Sequence, residues 1–455
     1  PFMAESIKIK KGLDIKLKGK AAETKSDALQ SQFFSMSPDD FHGMTPKVAV
    51  KEGDAVKVGS VLFYDKANPD LKVVSPCSGT VEAVNRGERR KVLDIRLKSD
   101  GKFESVPFDK AQPSQLSGAD VKKILLESGF FAFINQRPYD VVANPNDVPK
   151  AIFISAFDSS PLAPSYDYVF GYDQCKDDLQ CGVDALSKLT NGKVYVSVHK
   201  SSASRAFKEL KNVVINEIEG PHPAGNVGVQ INHISPINKG DVVWTVSPYD
   251  VLAIGKAFGK GVIDFSRLIA LVGSSVTKPS YYKTYPGAEI ASIIKGQVSE
   301  ENVRYISGNP LTGKQTSKEG FIGAFAHQVT VIPEGNKNNE FLGWIMPRLA
   351  KFSTSRSYFS WLFGEKKEYV ADTNLNGGER AFIMSGEYDA VFPMDILPEF
   401  LIKAIMDKDI EKMEQLGIYE VAPEDFALCE YVCTSKIETQ KIVREGLDFL
   451  RKELA

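Results

Sequence analysis

The spacing of the apolar residues changes along this chain, and each change forces a different architecture. From Met44 to Leu97 short apolar runs are separated by glycine-bearing turns: Pro46-Lys47-Val48-Ala49-Val50, Glu52-Gly53-Asp54, Val61-Leu62-Phe63-Tyr64 and Pro76-Cys77-Ser78-Gly79-Thr80-Val81. Strands alternating with tight turns predict a small β sandwich. Between about Ser117 and Phe258 helices alternate with short strands. Val121, Ile124, Leu125 and Ser128 share one helical face that ends at Gly129, in the position that accepts a left-handed cap. Ala151-Ile152-Phe153-Ile154 reads as a buried strand and Leu179, Val183, Leu186 and Leu189 as a helix stripe ending before Asn191-Gly192. Lys193 to Val198 and Asn212 to Ile215 supply further strands with a helix between them. Strand, helix, strand in repetition predicts a parallel α/β sheet.

Residues 262–332 read as a third, compact α+β unit of ubiquitin-like size and order. Its strands are Arg267 to Gly273, Val303 to Ile306 and Ala326 to Ile332, with a short helix from Gly287 to Ile294 closed by Gly296. After Pro333-Glu334-Gly335 comes a polar linker, Asn336 to Glu340, then a stretch rich in aromatic and basic residues, then a helical tail. Leu401, Ile405, Ile410, Met413 and Leu416 keep helical spacing up to Gly417, and Val443, Leu447, Leu450 and Leu454 form a last amphipathic stripe. Ser435 with Glu438 predicts a capping box for that final helix. The expected class is multidomain α/β: an N-terminal segment 1–43, a barrel-sandwich β domain 44–110, a Rossmann-like parallel α/β domain 111–261, a ubiquitin-like α+β domain 262–335, a linker and docking region 336–396 and a helical domain 397–455.

A chain of 455 residues is long enough for about three cores. Lys+Arg 56 against Asp+Glu 58 leaves a formal charge of -2, which argues against a nucleic-acid coat or a polybasic membrane adhesive. No window approaches the roughly 18 consecutive apolar residues of a membrane-spanning helix, and no apolar signal segment is visible. Pro1-Phe2 precede Met3, the expected native start. Five scattered cysteines, Cys77, Cys175, Cys181, Cys429 and Cys433, fit a reducing compartment better than a disulfide framework, so a cytoplasmic location is expected.

Val50-Lys51-Glu52-Gly53-Asp54 followed by Ser75-Pro76-Cys77-Ser78-Gly79-Thr80-Val81 resembles the hairpins of lipoyl- and biotinyl-type barrel-sandwich domains. In such carriers a lysine at a hairpin tip is acylated, and Lys66 lies near that place. Asn68-Pro69-Asp70 lengthens the tip, so an exposed lysine on a retained scaffold is the expectation and an acyl carrier the alternative.

Four further segments carry a wider likeness: Ile7 to Ile15, Glu219-Gly220-Pro221-His222-Pro223-Ala224-Gly225, Leu342-Gly343-Trp344 with Met346-Pro347, and Leu428-Cys429-Glu430-Tyr431-Val432-Cys433. Together with the order of units they resemble the A-subunit family of the sodium-translocating NADH:quinone oxidoreductase, related to the C-subunit of the Rnf complex and the flavin subunit of complex I. The resemblance implies a third unit of SLBB type. It also implies membership of a multi-subunit membrane complex, peripheral on the cytoplasmic side of the bacterial inner membrane, taking part in quinone reduction coupled to sodium export. The flavin-bearing relatives follow the first α/β helix with a glycine-crowded loop, because residues without Cβ let the backbone approach phosphates. Here that stretch is Gly129-Phe130-Phe131-Ala132-Phe133-Ile134-Asn135-Gln136-Arg137-Pro138. Where those relatives carry an acidic cluster, only Asp158 remains, and Gly255, Gly259 and Gly261 trail a helix instead of opening one. Cys429 and Cys433 are two thiols where a cubane cluster needs four, and Cys175 and Cys181 read as structural. Loss of the FMN, NADH and iron–sulfur sites is therefore expected, with no catalytic residue, no metal and no tightly bound cofactor in this chain.

A quinone head is a flat, neutral ring with two carbonyl acceptors, suited to aromatic walls and one or two donors. Phe130, Phe131, Phe133 and Arg137, with His222 as a second donor, are the candidate quinone pocket, and Ser31 to Met36 a candidate aromatic mouth in a linker. Packing alone explains the same residues, and then the chain is a scaffold clamping other subunits. Lys351 to Phe363 mixes cations with large apolar side chains and suits docking to a membrane subunit or headgroup surface, a buried strap being the alternative reading.

Overall fold

The computed structural model describes residues 6–337, 346–354, 356, 358–363 and 367–454. Pro1-Phe2-Met3, the later part of the 336–340 linker, Leu342-Gly343-Trp344, Ser355 and Ser357 lie outside the described residues.

Alternating apolar residues fold the N-terminal part into two facing antiparallel sheets, as the turn pattern predicts. One has the order Phe33–Met36, Val92–Ser99, Gly79–Arg86, Ala55–Val56, and the other Pro46–Val48, Val61–Asp65, Lys72–Val74. Phe34, Leu62, Phe63, Val73, Ile95 and Leu97 fill the space between them. The segment expected as a linker is thus a strand of the sandwich. Phe34 is fully buried edge-on to Tyr285 of the third unit at 6.1 Å, so this patch forms no mouth. Lys66 is exposed on a turn closed by Asp65, whose carboxylate accepts from the Thr45 and Asn68 amides (2.8 and 3.2 Å).

The central sheet runs in the order Ser6–Lys8, Val214–Glu219, Lys193–His199, Ala151–Ser155, Val243–Thr245, Asn135–Arg137, Val141–Val142. Its first five strands are parallel and the last two antiparallel. The N-terminal segment is not a separate unit: it supplies the edge strand Ser6–Lys8, too short for periodicity to reveal. Successive residues of a strand face opposite sides. Ile152 and Ile154 enter the core shared with helices Gly118–Ser128, Tyr172–Ser187 and Pro248–Lys260, while Ala151 and Phe153 enter a second core. The second core is closed by helices Val227–Ile234, Pro398–Met406 and Thr439–Leu454. Gly129 takes the left-handed cap its position predicts, at φ 83°. Gly255 serves close packing: a Cβ there would lie 1.6 Å from the Asp178 carbonyl oxygen, so the two long helices meet only because this side chain is absent.

The third sheet has the order Lys314–Thr316, Val303–Ser307, Gln328–Pro333, Arg267–Val272, Ser280–Thr284, Lys25–Ser26, and the helix expected from Gly287 is confined to Ala291–Ile294. In the tail, helix Thr439–Leu454 starts without the expected capping box. The Gln440 amide donates to Glu430 of helix Ala427–Val432 (2.9 Å), a tertiary acceptor that replaces the local one, while Glu438 faces Lys441 at the surface. No described helix is long and apolar enough to cross a membrane.

Candidate functional site

In an open parallel sheet, ligands bind outside the carboxyl ends of the strands where the strand order reverses. Here the chain moves outward from Ala151–Ser155 through Lys193–His199 to Val214–Glu219, then returns to the other side of Ala151–Ser155 with Val243–Thr245. A cavity of about 340 Å³ opens at that reversal, lined by Ser155, Asp158 and Ser160 after the first strand and by Thr245 and Ser247 after the last. The third unit adds Phe325 and His327, and the helical tail adds Glu424. Three units therefore meet at one recess.

Of the residues expected to form a quinone pocket, Phe133, Arg137 and His222 reach the cavity, and Phe130 and Phe131 do not. The short 3-10 turn Phe130–Phe133 follows the Gly129 cap directly and drives its rings inward. Phe130 packs on Phe265 (4.9 Å between centroids), Phe131 stands edge-on to Trp244 (5.4 Å), and Phe133 bridges Phe41 and Phe325 (5.5 and 5.3 Å). Aromatic burial of this kind is core packing first.

Arg137 is 1 % exposed and its terminal nitrogens are already engaged. One donates to Asp425 (2.9 Å) and to the Glu420 carbonyl oxygen (3.0 Å), and the other to Glu424 (3.0 Å). The guanidinium ties the sheet to the helical tail. His222 is buried too, with Nδ1 at 2.9 Å from the Ser159 hydroxyl, which in turn accepts from the Gly225 amide (2.8 Å). Burial pushes its pKa down to about 4, so the ring is neutral near pH 7.

The cavity's ionisable lining is chiefly acidic. Arg137 is its one guanidinium or ammonium among the described residues, against Asp140, Asp158, Asp250 and Glu424. Burial raises Asp158 and Asp250, the latter despite Arg267 at 2.7 Å. Glu424 is pushed up to about 8 by burial, with Asp425, Asp140 and Asp158 adding repulsion and Arg137 opposing it. The loop joining Ala151–Ser155 to the next helix, residues 156–165, contains no glycine. A nucleotide phosphate needs close backbone amides and positive potential; the first turns of helices Val227–Ile234 and Pro248–Lys260 reach the recess, but its side chains are chiefly acidic.

The remaining sequence candidates lie elsewhere. Cys429 and Cys433 are buried beneath Tyr388, whose hydroxyl donates to the Cys433 sulfur (3.1 Å), and burial holds the Cys429 thiol protonated. Among the described residues no group of three or more His, Cys, Asp or Glu is placed to hold a metal. Cys175 is a buried residue of helix Tyr172–Ser187. In the docking candidate, Phe359, Trp361, Leu362 and Phe363 are all about half exposed or more on the turn Phe359–Phe363, while Phe352 packs on Tyr369. Sequence reading misses Ser160, His327 and Glu424. Ser160 and His327 are separated by more than 160 residues, and no local spacing links them.

Fold and site define a class: multidomain α/β proteins with a barrel-sandwich module, a parallel sheet with a recess at its switch point, and an SLBB-type module. Residues 7–100 match the family described as the NqrA N-terminal barrel-sandwich hybrid domain, residues 116–263 the NqrA second alpha/beta domain, and residues 268–318 the NQRA C-terminal domain of SLBB type. The chain is 37% identical over 450 residues to the A-subunit of the Na(+)-translocating NADH-quinone reductase of Photorhabdus laumondii, covering 98% of this chain and 100% of that one. Identity is 36% to the Yersinia pestis protein and 35% to that of Neisseria meningitidis, each over 451 residues with the same coverage. This chain belongs to the NqrA family, the A-subunits of the Na(+)-translocating NADH-quinone reductase. Among solved structures an NAD+-reducing [NiFe]-hydrogenase aligns with 68% of this chain and 56% of its own at 11% identity, but its TM-score of 0.35 carries no weight.

Proposed function

We propose that this chain works as the peripheral, cytoplasmic-side A-subunit of a sodium-translocating NADH:quinone reductase, bound to the other subunits, and that its switch-point cavity receives the quinone head without a redox cofactor of its own. The observation that carries the reading is the lining of the recess: the acidic side chains Asp140, Asp158, Asp250 and Glu424 stand against one guanidinium whose terminal nitrogens are already bonded, which offers an anionic guest little attraction and suits an uncharged planar one. Phe133, Phe157 and Phe325 supply the apolar wall. Equilibrium dialysis of the full chain against a short-chain ubiquinone, FMN and NADH tests it. Saturable quinone uptake with no retention of FMN or NADH is expected; retained flavin absorbance contradicts it.

A second reading, an assembly scaffold that never touches quinone, is favoured by the exposed apolar turn Phe359–Phe363. Such a patch on a member of a complex marks a contact surface. Co-purification with the membrane subunits together with no quinone uptake would select this reading.

A further inference from the structure

Accepting the quinone reading of the switch-point cavity, we infer that Ser160 and His327, rather than Arg137 and His222, are the polar groups that position the ring. Ser160 is 8 % exposed, and its hydroxyl, beside the Asp158 carboxyl, makes no hydrogen bond of ordinary length and angle. The Nε2 atom of His327 is likewise buried and unpartnered. Both residues line the cavity, one from the loop after Ala151–Ser155 and the other from the residue preceding strand Gln328–Pro333. The two segments are tied together next door, where the Gln328 side-chain amide donates to the Pro161 carbonyl oxygen (3.5 Å). Buried polar atoms without partners are costly and rare, so two in the lining of one recess point to a missing partner there.

The chemistry of the pair fits both forms of a two-electron carrier. A quinone carbonyl only accepts, whereas the reduced ring carries hydroxyls that also donate. A serine hydroxyl and a neutral imidazole can each donate or accept, while a guanidinium can only donate and a carboxylate only accept. The His327 ring is stacked on Tyr249 at 4.0 Å and 14°, which fixes its plane, and burial holds it neutral near pH 7. The terminal nitrogens of Arg137 and Nδ1 of His222 are taken up by Asp425, Glu424 and Ser159, which leaves Arg137 a buried, unpartnered Nε that can only donate.

The test is titration of the full chain with a short-chain ubiquinone and with its reduced form, in wild type and four variants. Val227→Trp fills the recess beside helix Val227–Ile234 and reports on the cavity itself. Ser160→Ala and His327→Phe each remove one partner, the phenyl ring keeping the stack on Tyr249; His327→Gln restores a donor and acceptor. Loss of one neutral hydrogen bond weakens binding about fivefold, so each removal should raise Kd by about that factor for both redox forms, and His327→Gln by less than about twofold. If Val227→Trp abolishes binding while Ser160→Ala and His327→Phe bind as wild type does, the positioning role is refuted and the cavity reading survives. If wild type fails to bind, or Val227→Trp binds normally, the cavity reading falls and takes this inference with it. Should His327→Phe lose its near-UV circular dichroism, an unchanged Kd in Ser160→Ala alone overturns the pairing.

Discussion

The buried guanidinium of Arg137 makes a quantitative claim about how the helical tail is held. Its two countercharges differ. Asp425 is buried and bonded to one terminal nitrogen, and Glu424, on the cavity wall, is raised to about 8 and is bonded to the other. Burial raises both carboxyls, and Asp425, which also accepts from the Ala422 amide (2.9 Å), is the better placed of the two to carry the compensating charge. Asp425→Asn keeps an acceptor for the Ala422 amide, and the freed guanidinium then draws Glu424 into its ionised form, limiting the loss to about 1–2 kcal/mol. Glu424→Gln removes the more exposed of the two carboxyls and keeps an acceptor for the guanidinium, with a loss within about 0.5 kcal/mol. The double substitution leaves the guanidinium without either close partner. Breaking a buried pair completely costs about 3–5 kcal/mol, so the double variant should lose on the order of 2 kcal/mol more than the two singles together, taking central values. Urea unfolding followed by far-UV circular dichroism measures the cycle, with the transition of the tail fitted separately because a multidomain chain need not unfold in one step. Losses that add to within about 0.5 kcal/mol would refute the argument that the two carboxylates substitute for each other.

His222, with its pKa lowered to about 4 in the fold against about 6.5 unfolded, stabilises the native state fully above pH 6.5 and loses that contribution as pH falls from 6.5 to 4. The loss is on the order of 3 kcal/mol, and urea midpoints across that range should be flatter in His222→Gln than in wild type. Phe131→Ala opens a cavity beside Trp244 and should cost about 3–5 kcal/mol of stability, detected by the same unfolding assay. Replacing Trp361, Leu362 and Phe363 by serine should shift stability by less than about 0.5 kcal/mol, since the rings are largely exposed, while lowering recovery of the chain with the membrane fraction.

How much of this is legible in the sequence depends on the range of the interaction concerned. The helix ending at Gly129, the buried strand around Ile152 and the sandwich turns are specified within a few residues, and periodicity finds them. The capping box at Ser435 is overridden by Glu430, a tertiary acceptor with no local signature. Phe130, Phe131 and Phe133 read as one cluster because they are adjacent, but the 3-10 turn sends them to different neighbours and only Phe133 faces the recess. Arg137 stands out as an unusual cation in an apolar stretch; its partners Glu424 and Asp425 lie almost 290 residues away and no spacing rule reaches them. Ser160 and His327 escape notice for the same reason, being ordinary until the fold places them in the lining of one recess.

The strand Ser6–Lys8 has a consequence for anyone wishing to cut this molecule into pieces. It pairs in parallel with Val214–Glu219, Ile7 opposite Ile218, and so occupies the rim of the central sheet. A fragment beginning near residue 111 would carry every crossover helix of that sheet yet present Val214–Glu219 with a row of bare amides and carbonyls, a template for joining to another copy. Residues 6–8 must therefore wait, during synthesis, for a strand made some two hundred residues later, and a fragment should stay monomeric only if the leading segment is supplied with it, either fused or as a separate peptide.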